Sequence, residues 1–309
     1  MPILPPVIDP QNILVIVEQV KGPLQMLGDH VAYDLVKAGC FRLWDRIKND
    51  PVGAKGAAVR NAVAYSEELA ERIVRFRDEE KLTNEQIEHA LSSPSVARVL
   101  EAAIITASTT DSTEVHRDLA TIVAARLASS DGSTLSNLLH DACIKVESLN
   151  ARQLHVLAYI EAVRYLVYPQ HDASLLPEEQ FKSLLGEVAK IAAAVGEPRI
   201  EYLDAQYFEA LGVGRHRPMG ARFGSSDDYL SLAQAMNPLQ QPGLEIAVEL
   251  KDAFGWYQRA TELSLDHLTV HNVTLSLVGN LIGLIAFCRL ANKEADLSFF
   301  ELKTEDAVI

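Results

Sequence analysis

Apolar residues recur at spacings of three and four through most of this chain, the signature of helices with one buried face. In "SPSVARVLEAAIITASTTDSTEVHRDLATIVAARL", residues 93–127, Val96, Val99, Leu100, Ala103 and Ile104 form one stripe. Val115, Leu119, Ile122, Val123, Arg126 and Leu127 form a second. The polar run Ser108 to Ser112 separates them, and Asp111 or Ser112 can cap the second helix. Ala102, Ala103, Ala107, Ala120, Ala124 and Ala125 keep both surfaces shallow, so the pattern predicts a closely packed αα-hairpin.

The same reading extends both ways. "MPILPP" is too proline-rich for helix, and Asp9-Pro10 has the cap and first-turn proline of a helix that stops at Gly22-Pro23. A longer helix is predicted over residues 24–47, with Leu24, Leu27, Val31, Leu35, Ala38 and Phe41 as its stripe. Another covers residues 57–81, its outer face laced by Glu67, Glu71, Arg72 and Arg75. Thr83 and Gln86 have the spacing of a capping box, and Pro94 restarts the helix after it. Downstream, Asn150 caps "ARQLHVLAYIEAVRYLVY", and Pro177 and Pro198 open two further helices. The run "LTVHNVTL" is β-leaning, "SLVGNLIGLIAFCRLAN" reads as helix, and "DLSFFEL" reads as a final strand. The predicted fold class is mainly α: a multi-helix N-terminal domain, residues 1–149, then a helical C-terminal domain, residues 150–309, with a small β element.

Composition narrows the function classes. The chain has 309 residues, 48% of them hydrophobic, enough for a sizeable core. Its formal charge of −14 works against nucleic-acid backbones and anionic membranes, and no strong nucleic-acid signal is present. Cys40, Cys143 and Cys288 are far apart and read as buried, reduced thiols. The N-terminus lacks the pattern of a signal peptide, and a cytoplasmic protein is expected. Gly279 and Gly283 form a small-xxx-small pair in an apolar run, but that run falls short of the roughly 20 residues that span a bilayer. A buried core helix is expected there.

Candidate chemistry is sparse. His267 and His271 stand four apart in "HLTVH", but in a β-leaning segment with no third ligand, so no metal site is assigned. No Walker A, dinucleotide-binding or GxSxG pattern occurs, and no cofactor is expected. Near the hairpin stand Glu114, His116, Asp118 and Arg126, of which Glu114 and Arg126 are a candidate polar pair for helix packing. The best local site is the run "GVGRHRPMGARFG". Arg215, His216, Arg217 and Arg222 lie there among glycines, a way to hold a phosphate, a carboxylate or a partner's acidic surface.

Four stretches occur in one order: residues 93–127, "LNARQLHVLAYIEAVRYL", "EYLDAQYFEALGVG" and "VTLSLVGNLIGLIAFCRL". Over roughly residues 65–290 this order resembles the LPO_1073/Vpar_1526 family of bacterial proteins, and it is similar to abortive-infection alpha proteins. The resemblance implies a helix-rich middle and a terminal β element like the end of a winged helix. Leu277-Val278 here stands where a proline often precedes the glycine. It also implies a bacterial cytosolic protein linked to anti-phage defence, and it supplies no catalytic residues.

The expected function is a non-enzymatic helical interaction or sensor protein, self-associating or bound to a protein partner. Two alternatives stay open. One is a winged-helix nucleic-acid regulator, for which the last apolar helix is poorly charged. The other is an enzyme or receptor that takes a phosphorylated small ligand at the Arg215–Arg222 loop.

Overall fold

The computed structural model describes residues 13–79, 81–162, 199–216, 268 and 272–300. The chain divides into two compact units, Met1–Ala151 with Asp296–Ile309, and Arg152–Ala295. The protein is mainly α, with a small two-stranded antiparallel sheet among the described residues.

The first unit is a helical bundle: α1 (Ile13–Lys21), α2 (Asp29–Ile47), α3 (Val52–Asp78), α4 (Asn84–Leu91), α5 (Pro94–Ser108), α6 (Thr113–Ala128) and α7 (Thr134–Val146). α6 is its centre. From Val115 to Leu127 every residue but Arg117 is buried, because α6 packs against α3, α4, α5 and α7. Arg117 points outward to Glu68 of α3 at 3.2 Å. The two hairpin stripes are buried as their spacing predicts. Ser112, not Asp111, caps α6, its hydroxyl accepting the Val115 N–H. The capping box is formed: Gln86 N–H donates to Thr83 Oγ1 at 3.2 Å, and Thr83 N–H to Gln86 Oε1 at 2.7 Å.

Two expectations are corrected here. The helix foreseen over residues 24–47 is a 3-10 turn, Gly22–Leu27, then α2; Gly28 breaks it with a φ of 102°. The break shifts the helical phase. α2 buries Ala32, Leu35, Val36, Gly39, Cys40, Leu43 and Ile47, while Phe41 is exposed. The second correction concerns "DLSFFEL". Residues Ser298–Phe300 form a 3-10 turn, because the Asp296 carboxylate accepts the Ser298 N–H at 3.0 Å and bends the backbone. The N-terminal arm, the Asp9-Pro10 start and the helix opened by Pro177 lie outside the described residues.

In the second unit are α8 (Ala151–Glu161), α9 (Tyr202–Leu211), β1 (Gly214–His216), β2 (Val273–Leu275) and α10 (Leu277–Leu290). Gly212, left-handed at φ 75°, ends α9 and turns the chain into β1. β1 and β2 pair antiparallel, Gly214 opposite Leu275, Arg215 opposite Thr274 and His216 opposite Val273. Among the described residues of "LTVHNVTL", Val273–Leu275 is strand and Leu268 makes an isolated bridge to Ile200. Ser276 joins the elements. Its hydroxyl caps α10 at Gly279 N–H (3.1 Å) and donates to Gly212 O (2.9 Å). A Cβ at Gly279 would collide with the Val213 carbonyl, and one at Gly283 would lie 2.8 Å from Leu157 O. The small-xxx-small pair thus lets α10 touch backbone on two sides, and α10 is a buried core helix. No described helix is long and apolar enough to cross a membrane.

Candidate functional site

The glycine-arginine run begins as a strand. Arg215 is exposed on β1, on the sheet face it shares with Thr274. His216 is half-buried on the opposite face, its ring edge-on to Tyr202 of α9 at 6.1 Å and 76°. The His216 Nε2 and Thr274 Oγ1 atoms are buried without hydrogen-bond partners. Arg217, Arg222, His267 and His271 lie outside the described residues.

Beside β1, α9 turns an apolar stripe outward. Asp204, Ala205 and Phe208 face the core, so the helical period leaves Leu203 and Tyr207, four apart, on the outer side with Tyr202. Leu203 is 72% exposed, the highest value among the exposed large apolar side chains of the described residues. Glu209 near the end of α9 and Arg215 on β1 are exposed charges of opposite sign. The first turn of α9 is anchored by Arg152. Its Nη1 donates to both Asp204 oxygens at 2.7 and 2.9 Å, and its Nη2 to Arg199 O and Glu201 Oε1 at 3.1 Å. The sequence reading missed this clasp, since its partners lie about fifty residues apart. The available signal was Asp204 three residues after Glu201, a capping box of two acids.

In the first unit, Glu114 and Arg126 are not brought together. They stand in the first and last turns of one helix, about 18 Å apart along its axis at the usual rise. Arg126, 2% exposed, instead reaches Asp131 in the following turn and donates to Ser95 Oγ at 2.6 Å, at the start of α5. Asp131 also accepts from Ser95 at 3.1 Å. The guanidinium of Arg126, with the Ser93 and Ser95 hydroxyls, holds the Asp131 carboxyl low, at about 2. His116 is buried in α6 with its Nε2 placed 3.1 Å from Ala107 O and 3.0 Å from Thr110 O. Both are acceptors, so Nε2 carries the proton and the ring closes the end of α5. Tyr65 packs edge-on to it at 6.3 Å and 68°.

These groups tie helices together. Among the described residues no group of three His, Cys, Asp or Glu could hold a metal ion. The cysteines are buried and free, and burial pushes the Cys40 and Cys143 thiols up to about 12. An open depression of about 640 Å³ is lined by Arg77, Asp78, Leu82, Thr83 and Asn84, where Arg77 already donates to Asn84 at 3.4 Å.

A family model matches residues 52–231, more than half of the chain, and it supports the assignment to the LPO_1073/Vpar_1526 family; the likeness to abortive-infection alpha proteins is not shown by it. No curated protein and no solved structure matches the chain.

Proposed function

On the premise that the chain belongs to the LPO_1073/Vpar_1526 family, we propose that it is a helical interaction protein that associates with a second copy of itself. The observation that carries this reading is the outward stripe of α9. Two tyrosines and a leucine stand in solvent on a helix whose other face is fixed by Phe208 and the Arg152 clasp. Tyrosine supplies large, stiff contact area and is enriched at the centres of interfaces. A second copy is the proposed occupant, since a two-fold pairing presents one surface to itself and this surface carries exposed charges of both signs, Glu209 and Arg215. A role in anti-phage defence in the bacterial cytoplasm is part of the same proposal, and what supports it is the order of the four sequence stretches.

Light scattering across a concentration series tests the association. The full chain is expected to form a dimer and Leu203→Glu a monomer that keeps its helical circular-dichroism spectrum and melts cooperatively, at a temperature independent of concentration. A wild-type monomer at high concentration, or a dimer untouched by Leu203→Glu, refutes the assignment. For the defence role, plaque counts on hosts with and without the gene should differ.

A further inference from the structure

Glu161 closes α8, and the residue is 5% exposed. Its Oε2 has no hydrogen-bond partner. Against it lies Gly283 of α10, where a Cβ would stand 2.8 Å from Leu157 O and 3.0 Å from Glu161 Cβ. The two helices meet backbone to backbone there, and no described residue donates a hydrogen bond to Glu161 Oε2. Among the described residues of these two helices, the other titratable or charged side chains are Arg152, His155 and Tyr159 on α8, and Cys288 and Arg289 on α10. Arg152 is held by Asp204 and Glu201, and none of the others bonds to Glu161 Oε2.

We propose that the α8–α10 joint is a proton-controlled latch, closed while Glu161 carries its proton and opened as that proton is lost. Burial raises the Glu161 carboxyl from 4.5 to about 8. An opened joint exposes the group to water and returns it to the ordinary range, so the open form binds fewer protons than the closed form between those two values. Opening is therefore favoured as pH rises from 4.5 to about 8. Above that the closed form has also ionised, and the equilibrium levels off. Within the window the open population grows by up to about tenfold per pH unit.

Hydrogen exchange of the α10 amides in the full chain, from about pH 5 to 9, reads this directly, with Glu161→Gln as the reference that cancels the intrinsic pH dependence. The wild-type rate divided by the variant rate should climb by up to about tenfold per unit and level off near pH 8. A ratio that stays constant across the range overturns the latch. Glu161→Met serves as reference if the amide variant does not fold, with the same two outcomes. Gly283→Ala, which forces a methyl against the Leu157 carbonyl, should exchange fast already at pH 5. Slow exchange there overturns the role given to the close approach.

Discussion

Arg126 shows how a charged side chain can sit among apolar neighbours on a predicted stripe. Its periodic position marks it as buried, and it is, but the partner that makes burial tolerable is Asp131, five residues on and half exposed. Removing the acid leaves a guanidinium in the core with Ser95 and Ser129 O as its remaining partners. Asp131→Asn should therefore destabilise the chain by about 1–2 kcal/mol in urea unfolding at neutral pH, discounted because the carboxylate is exposed to water. The pH dependence has a definite sign. The folded carboxyl lies below its ordinary 3.8, so its contribution is complete above that value and disappears as pH falls towards 2. The acid limb of a melting-temperature profile should flatten in Asp131→Asn. Arg126 was legible as a core residue; Asp131 was not, because periodicity is silent about a turn that folds back.

At the scale of elements, the joints depend on groups too small or too polar to register in a hydropathy pattern. The contact of α2 with α5 runs through Gly39, where a Cβ would lie 2.8 Å from Ile104 Cβ. Gly39→Ala should cost about 1–3 kcal/mol by chemical denaturation, since the Ile104 Cβ is fixed to the α5 backbone and the two helices must move apart. At Gly279 the obstacle is a backbone carbonyl, which cannot rotate away, so Gly279→Ala should disrupt the second unit more severely and slow nothing in the first. His116 gives a third case. Its imidazole adds a donor for Thr110 O and for Ala107 O, which also accepts the Thr110 N–H at 3.3 Å, and His116→Leu should cost about 1–3 kcal/mol by removing that donor. Caps were legible where a hydroxyl precedes a periodic run, as at Thr83 and Ser112. The phase of α2 was not, because Gly28 separates two segments that share a three-four spacing. The strand read into "DLSFFEL" failed similarly: one aspartate competing for a backbone N–H outweighed the β propensity of two phenylalanines.

For the whole molecule, charge and the α9 stripe make opposing demands that salt can separate. Each copy carries −14, so two copies repel at long range, while in the proposed dimer the α9 stripe acts only on contact. Added salt screens the long-range repulsion within a Debye length of about 8 Å at physiological ionic strength and leaves apolar burial intact. Self-association should therefore strengthen as salt rises from about 0.02 to 0.3 M, read by sedimentation equilibrium of the full chain. A protein held to nucleic acid through phosphate contacts behaves the other way, its affinity falling steeply with salt. Leu203→Glu distinguishes screening at this face from non-specific salting-out: it adds a charge where the stripe must desolvate, so the variant should stay monomeric at every ionic strength. A salt-driven dimer that survives Leu203→Glu would move the interface elsewhere on the surface and leave the α9 tyrosines without the role argued for them.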